Sequence, residues 1–211
     1  MKAKITNQMA KKLNNDQEIF LLNDKYVLLS DLMKVEDGTK IELDLGCGTG
    51  DLALALAERK KDSLIFAADI QINRIRKVAR KGKRAGFDNL HCFRVEARHL
   101  VSIILPDGCL DRLHILCPDP WPKARHSGHR LMSADFMMQI SRVLKKDGIL
   151  HFATDDEPYM AATVKNITES GLFERLGNEA LADIEDVKTE FERQWLAQGK
   201  PVPHTAWRKI G

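Results

Sequence analysis

The segment Gly46-Cys47-Gly48-Thr49-Gly50, flanked by Asp44 and Asp51, is the first place in this chain where residue types and spacing could do chemistry. Glycines at alternate positions let a backbone turn closely around a ligand and present it to the N-terminus of a following helix. Two more acids punctuate apolar runs in the same way. Asp69, 19 residues after Gly50, ends the run from Ser63, and Glu96 ends the run from Leu90. A dinucleotide fingerprint would want its third glycine where Asp51 sits, and an acid opening that helix is poor company for a pyrophosphate. The pattern favours a ligand without phosphate, carrying a cationic part for Asp44 and hydroxyls for Asp69. S-adenosylmethionine, with an ammonium and a sulfonium, has that chemistry. A nicotinamide or flavin site and a ligand-free tight turn are the competing readings.

A second unusual stretch is Pro118-Asp119-Pro120-Trp121-Pro122-Lys123-Ala124-Arg125-His126. Three prolines within five residues exclude a helix or a central strand and set a rigid loop. The loop offers a carboxylate, an indole and cations, which suits a nucleobase lifted from its stack with Lys123 and Arg125 on flanking phosphates. The alternative is a structural turn whose Trp121 packs inward. Seven basic residues between Arg74 and Arg84 have no acid among them. Such a run is most often a solvated helix face, and a phosphate-tracking surface is the other reading. His126 and His129 have a spacing that could suit a metal, but no carboxylate or thiol lies near them, and no metal is expected.

The elements that must position these residues are legible from Lys40 onward. Ile41–Leu45 alternates like a strand, Asp51–Arg59 continues as a helix, and Ser63–Ala68 is a second strand. Ile72, Ile75, Val78, Ala79 and Ala85 make one face of the next helix, and most of the basic cluster lies off that face. Leu90–Val95 and Asp111–Cys117 are further strands. Ser133 opens a helix through Leu144 that stops at Asp147-Gly148, and Ile149–Ala153 is a fifth strand. A last helix starts near Pro158 and ends at Gly171. Strands alternating with helices imply right-handed βαβ units, a parallel sheet and helices on both faces. Ligands then bind beyond the carboxyl ends of the strands, where Asp44, Asp69, Glu96, Asp119 and Asp155 all fall.

The run Leu43-Asp44-Leu45-Gly46-Cys47-Gly48-Thr49-Gly50 resembles the first motif of class I S-adenosylmethionine-dependent methyltransferases, with their Rossmann-like fold and mostly parallel sheet. The Pro118–His126 loop, Thr154-Asp155-Asp156-Glu157-Pro158-Tyr159 and Thr189-Glu190-Phe191-Glu192 resemble, in order, the signatures of the tRNA (guanine-N7-)-methyltransferases. The resemblance implies methyl transfer to N7 of guanine in tRNA, at guanosine 46 of the variable loop. It implies cofactor binding by Asp44, Gly46, Gly48, Gly50, Asp69 and Glu96, with Asp119 serving both cofactor and reaction. It also implies substrate contacts from Lys123, Arg125, Asp155, Thr189 and Glu192. Thr189-x-x-Glu192 is equally a helix capping box, and Ser127-Gly128-His129-Arg130 is less basic than the family's usual continuation. The nearest rival is an exocyclic-amine methyltransferase acting on RNA or DNA, whose loops run Asp-Pro-Pro-Trp or Asn-Pro-Pro-Tyr. A non-catalytic RNA-binding protein with a methyltransferase fold is the rival from another class.

Length and composition agree with this picture. The 211 residues, 44% hydrophobic and 30% charged, suit one globular domain, read as an extension over residues 1–38 with a helix or two and a methyltransferase domain over 39–211. No apolar run approaches a membrane span, and Met1–Asn7 lacks the apolar stretch of a signal peptide, so a cytoplasmic location is expected. Cys47, Cys92, Cys109 and Cys117 sit at no metal spacing and read as reduced, buried hydrophobes. A net charge of +3 is too mild to prove a nucleic-acid partner by itself. The expected partner is tRNA, with the protein a monomer or homodimer.

Overall fold

A computed structural model describes residues 10–13, 17–22, 27–121 and 130–211. Among the described residues, nine strands, numbered β1 to β9 along the chain, form one sheet in the order β1-β2-β5-β4-β3-β6-β7-β9-β8. The parallel centre comprises β3 (Lys40–Leu45), β4 (Ser63–Asp69), β5 (Leu90–Arg94), β6 (Leu110–Leu116) and β7 (Leu144–Ala153). Helices α2 (Asp51–Arg59) and α3 (Ile72–Ala85) cover one face with Leu181 and Ile184. The other face packs on α1 (Leu29–Leu32), α5 (Ala134–Val143), α6 (Glu157–Ser170) and the π-helical turn Leu100–Ile104 that follows α4 (Ala97–His99). This is the Rossmann-like arrangement that strand–helix alternation requires.

Both sheet edges depart from the sequence expectation. Residues before Gly38, expected to hold a helix or two, contribute β1 (Ala10–Leu13) and β2 (Gln17–Leu21) besides α1. The strands form an antiparallel pair, and β2 runs parallel to β5 with Ile19 opposite Cys92. Five strand residues carry too little periodicity to announce themselves, and pairing with an existing edge decides their state. At the other edge β9 (His204–Lys209) lies antiparallel between β7 and β8 (Phe173–Leu176). The helix read as running through Leu144 stops at Val143, because Leu144 already pairs with Leu110 in the sheet. Asp147, at φ 62°, and Gly148 then mark a register shift within β7 rather than a helix stop.

The glycine turn depends on backbone freedom. Gly46 and Gly50 have φ of 81° and 79°, a region L side chains avoid. A Cβ on Gly46 would meet nothing within 4 Å, whereas one on Gly50 would lie 2.6 Å from a Val78 methyl of α3. Gly50→Ala is therefore expected to destabilise the protein by about 2–4 kcal/mol and Gly46→Ala by about 1–2 kcal/mol, measured by chemical denaturation. Equal costs would show that the α2–α3 contact does not depend on Gly50.

Candidate functional site

The carboxyl ends of β3, β4, β5 and β6 meet around the glycine turn. The Gly46 and Cys47 amides both donate to the Ala68 carbonyl, at 2.8 and 2.9 Å, which bends the chain off β3 toward β4. Asp69 braces the turn from below. It accepts from the Gly48 amide at 3.2 Å, the Gln71 amide at 2.7 Å and the Arg74 guanidinium at 3.4 Å. Glu96 caps α4, accepting from the amides of Arg98 and His99, and stays exposed. Asp51 accepts from the Thr49 hydroxyl, the Glu190 amide and Arg193, tying the start of α2 to α7 (Glu190–Leu196).

Two adjoining hollows open at this edge. One, of about 290 Å³, is lined by Asp69, Gln71, Arg74, Glu96, Asp119 and Trp121 among others. The second, of about 360 Å³, is lined by Asp44, Gly48, Thr49, Thr189, Phe191 and Gln194 among others. Gly46, Arg74, Leu116, Cys117 and Asp119 belong to both, so Asp119 stands where the two join. The loop that carries it is held in unusual backbone. Cys117 and Trp121 adopt φ of 48° and 44°, conformations a non-glycine residue keeps only when its surroundings enforce them. The Cys117 amide donates to Ala153 at 2.8 Å and Arg130 donates to the Pro120 carbonyl at 2.8 Å, fastening both sides of the loop. Trp121 is 39% exposed and does not pack into the core.

The electrostatics favour a cation. Asp44 is buried, and burial pushes its carboxyl up to about 7, with the negative charges of Asp69 and Asp51 adding to the effect. Gly46 and Gly48 face open space where a side chain would intrude, leaving room for a ligand against the backbone. A group carrying positive charge beside Asp44 and hydroxyls beside Asp69 and Glu96 fits these walls, and S-adenosylmethionine meets both demands.

The structure brings Asp44, Gly46, Gly48, Asp69, Glu96, Asp119 and Thr189 to the two hollows. Gly50 lies beneath them as the cap of α2, against Val78. Asp155 is half-buried beyond β7, next to Cys117, whose thiol burial pushes up to about 12. The Thr189 hydroxyl caps α7 by accepting from the Glu192 amide at 3.1 Å. The Glu192 carboxylate turns the other way, onto His204 at 3.2 Å and Lys188 at 3.0 Å. Lys123, Arg125, His126 and His129 fall outside the described residues. Gln71, Arg74 and Gln194 line the hollows without having been singled out as site residues, whereas Phe191 belongs to the Thr189–Glu192 segment. Arg74 was visible only as one member of a basic run, and the other two carry no spacing signal. Among the described residues no group of three or more His, Cys, Asp or Glu could hold a metal ion, and no helix is long and apolar enough to cross a membrane. All four cysteines are free.

Fold and glycine turn together define a class I S-adenosylmethionine-dependent methyltransferase. Residues 38–205 match the family model described as "Putative methyltransferase". A tRNA (guanine-N(7)-)-methyltransferase of Roseobacter denitrificans is 33% identical over 179 residues, covering 82% of this chain and 75% of that protein. One of Thermotoga maritima is 32% identical over 177 residues, or 81% of this chain and 54% of that longer protein. Among solved structures the 16S rRNA methyltransferase KamB superposes with a TM-score of 0.60 at 16% identity, covering 88% of this chain and 99% of KamB. The chain belongs to the tRNA (guanine-N7-)-methyltransferase family.

Because Asp44 is partly protonated near neutrality, binding a cation beside it should expel a proton. Calorimetry of S-adenosylmethionine binding near pH 6, in buffers of different ionisation enthalpy, is expected to show release of a large fraction of one proton. Near pH 8.5, above the folded-state value of about 7, release should vanish and affinity should be higher. Affinity independent of pH across this range would place the cationic part away from Asp44.

Proposed function

We propose that this chain transfers a methyl group from S-adenosylmethionine to N7 of guanine in tRNA, at guanosine 46 of the variable loop, and that it does so in the cytoplasm. The observation that carries this reading is the position of Asp119. It sits on a strained, proline-framed loop at the junction of a hollow suited to an adenosine moiety and one walled by α7. The cofactor supplies an electrophilic methyl carbon on a positively charged sulfur. Guanine N7 is a bare lone pair, so no proton leaves before attack and no strong general base is needed.

The work left to the protein is alignment and charge. Holding acceptor and methyl carbon in line removes much of the barrier. Asp119, with Asp155 nearby at the end of β7, accepts from the guanine N1–H and exocyclic amine, a pattern adenine lacks. Their charge also favours the purine as it becomes cationic, a preorganised electrostatic effect. In this reading Asp69 and Glu96 hold the ribose and adenine side, and Thr189 frames the guanine side.

The grip on RNA is assigned to α3. Arg76, Lys77, Arg80, Lys81, Lys83 and Arg84 are all exposed along this helix, beside Arg74 at the hollows. The rest of the chain is net negative, since the whole carries only +3. Relatives named for tRNA methylation support the same partner.

Two outcomes test the reading. Asp119→Ala should lower kcat on tRNA by about 100-fold or more while the cofactor Kd stays within about threefold. Parallel loss of cofactor binding would move Asp119 out of the reaction centre. Replacing Arg76, Arg80 and Arg84 together with Glu should weaken tRNA binding and flatten its log–log salt dependence by about 2–3. An unchanged slope would leave α3 a solvated face.

A further inference from the structure

A row of three histidines crosses the sheet on the α2 side, and nothing in the methyl-transfer reading uses it. His114 on β6, His151 on β7 and His204 on β9 lie on neighbouring strands, with His114 directly opposite His151. His114 Nδ1 is 2.9 Å from His151 Nδ1, and His151 Nε2 is 2.8 Å from His204 Nδ1. Each end of the row meets a carboxylate. Glu42 is 3.3 Å from His114 Nε2, and Glu192 is 3.2 Å from His204 Nε2. The rings bond directly to one another, edge-on for the first pair and stacked for the second. His114 and His151 are buried, and His204 is a quarter exposed.

Counting protons along this chain gives a definite result. An ionised carboxylate only accepts, so Glu42 and Glu192 each require an N–H from the ring they face. The two ring-to-ring links each require one more. Four links therefore need four protons, but three neutral imidazoles carry only three. Both carboxylates are held ionised. At Glu42, burial pushes the carboxyl up, but His114 and Lys60 outweigh it and bring the group to about 2. At Glu192, burial is likewise outweighed by His204 and Lys188. With one proton too few, two lone pairs would face each other in a buried site, the costly arrangement.

We propose that the three histidines form a relay carrying one extra proton, resting on His204, which tethers Glu192 and so positions the first turn of α7 against the guanine side of the pocket. His204 is the ring best placed for the charge, being partly solvated and against a carboxylate, while burial disfavours charge on His114 and His151. The other charged groups facing the row are Lys60, Arg112 and Asp183 at the Glu42 end, and Lys188 and Glu185 at the Glu192 end, where Glu185 lines the same hollow as His151 and His204. Glu192 thereby connects the row to the turn that begins at the Thr189 cap, whose Thr189, Glu190, Phe191 and Gln194 wall the second hollow. His204 is a positioning residue, acting through Glu192 and not on substrate. At high pH the fourth proton leaves, one link opens, and α7 loses its tie to β9 while Lys188 and Asp51 keep theirs.

The role in RNA recognition rests on the methyl-transfer reading, but the proton count does not, so two measurements separate them. Ring-nitrogen NMR of the free protein near pH 7 should show four N–H protons on these three histidines, falling to three as pH rises. Three at neutral pH would overturn the relay, whatever the protein methylates. In steady-state kinetics the KM for tRNA should climb about tenfold or more once the pH is raised far enough for the fourth N–H to be lost, with little change in cofactor Kd over the same interval. His204→Leu should show the raised KM at every pH. Glu192→Gln provides an amide that donates to His204, so three protons suffice and KM should no longer rise with pH. If Glu192→Gln instead lowers kcat at every pH, Glu192 acts on the base and the positioning role is wrong. A wild-type KM that stays flat with pH would also refute it.

Discussion

A carboxylate buried without a positive partner of its own is the constraint on which the site depends. Asp44 ends β3, the middle strand of nine, where Asp51 and Asp69 add negative charge. Burial leaves it little solvent to offset that cost, and among the described residues Arg74 pairs with Asp69. Such a group is stable in two ways, by keeping a proton or by receiving a cation. The glycine turn decides how the cation arrives, because a backbone stripped of side chains leaves open space beside the acid. A phosphate would find these walls repulsive, which separates this turn from nucleotide sites built on a similar strand-to-helix junction.

The rest of the sheet serves to bring chemistry to that edge from several strands at once. Parallel β3, β4, β5 and β6 end at one level, so Asp44, Asp69, Glu96 and Asp119 converge although 75 residues separate the first from the last. The antiparallel addition of β9 has a different consequence. It places His204 beside β7 and opposite Ala153, and through Glu192 anchors α7, which walls the second hollow. Asp51 fastens the same segment to α2 through the Glu190 amide and Arg193. The substrate-side wall is therefore held from both sides by charged groups, as the glycine turn is held by the Asp69 carboxylate and by backbone hydrogen bonds to Ala68.

Much of this was legible in the sequence, for identifiable reasons. The central βαβ units carry strong periodicity and clear stops. Asp51–Arg59 and Ile72–Ala85 are helices with the bounds their pattern predicts, and the acids at the strand ends stand where parallel topology must put them. The edges were not legible, since β2 and β9 are short and owe their state to the neighbours they pair with. The histidine row was invisible for a related reason. His114, His151 and His204 are separated by 37 and 53 residues, and only the strand order makes them adjacent. Glu192 shows the limit of motif reading. Its spacing from Thr189 announces a helix cap, and the Thr189 hydroxyl does cap α7, but the direction of the carboxylate is set by His204 and Lys188.

The proposed reaction turns on one atom of the acceptor, the N7 lone pair of guanine. The most direct test is transfer of labelled methyl from S-adenosylmethionine to an unmodified tRNA transcript, beside an otherwise identical transcript made with 7-deazaguanosine. Replacing N7 by C–H leaves the N1–H and exocyclic amine in place while removing the nucleophile. Label on the first transcript and none on the second is the predicted result. Label on both would mean that another atom accepts the methyl group and would contradict the assignment.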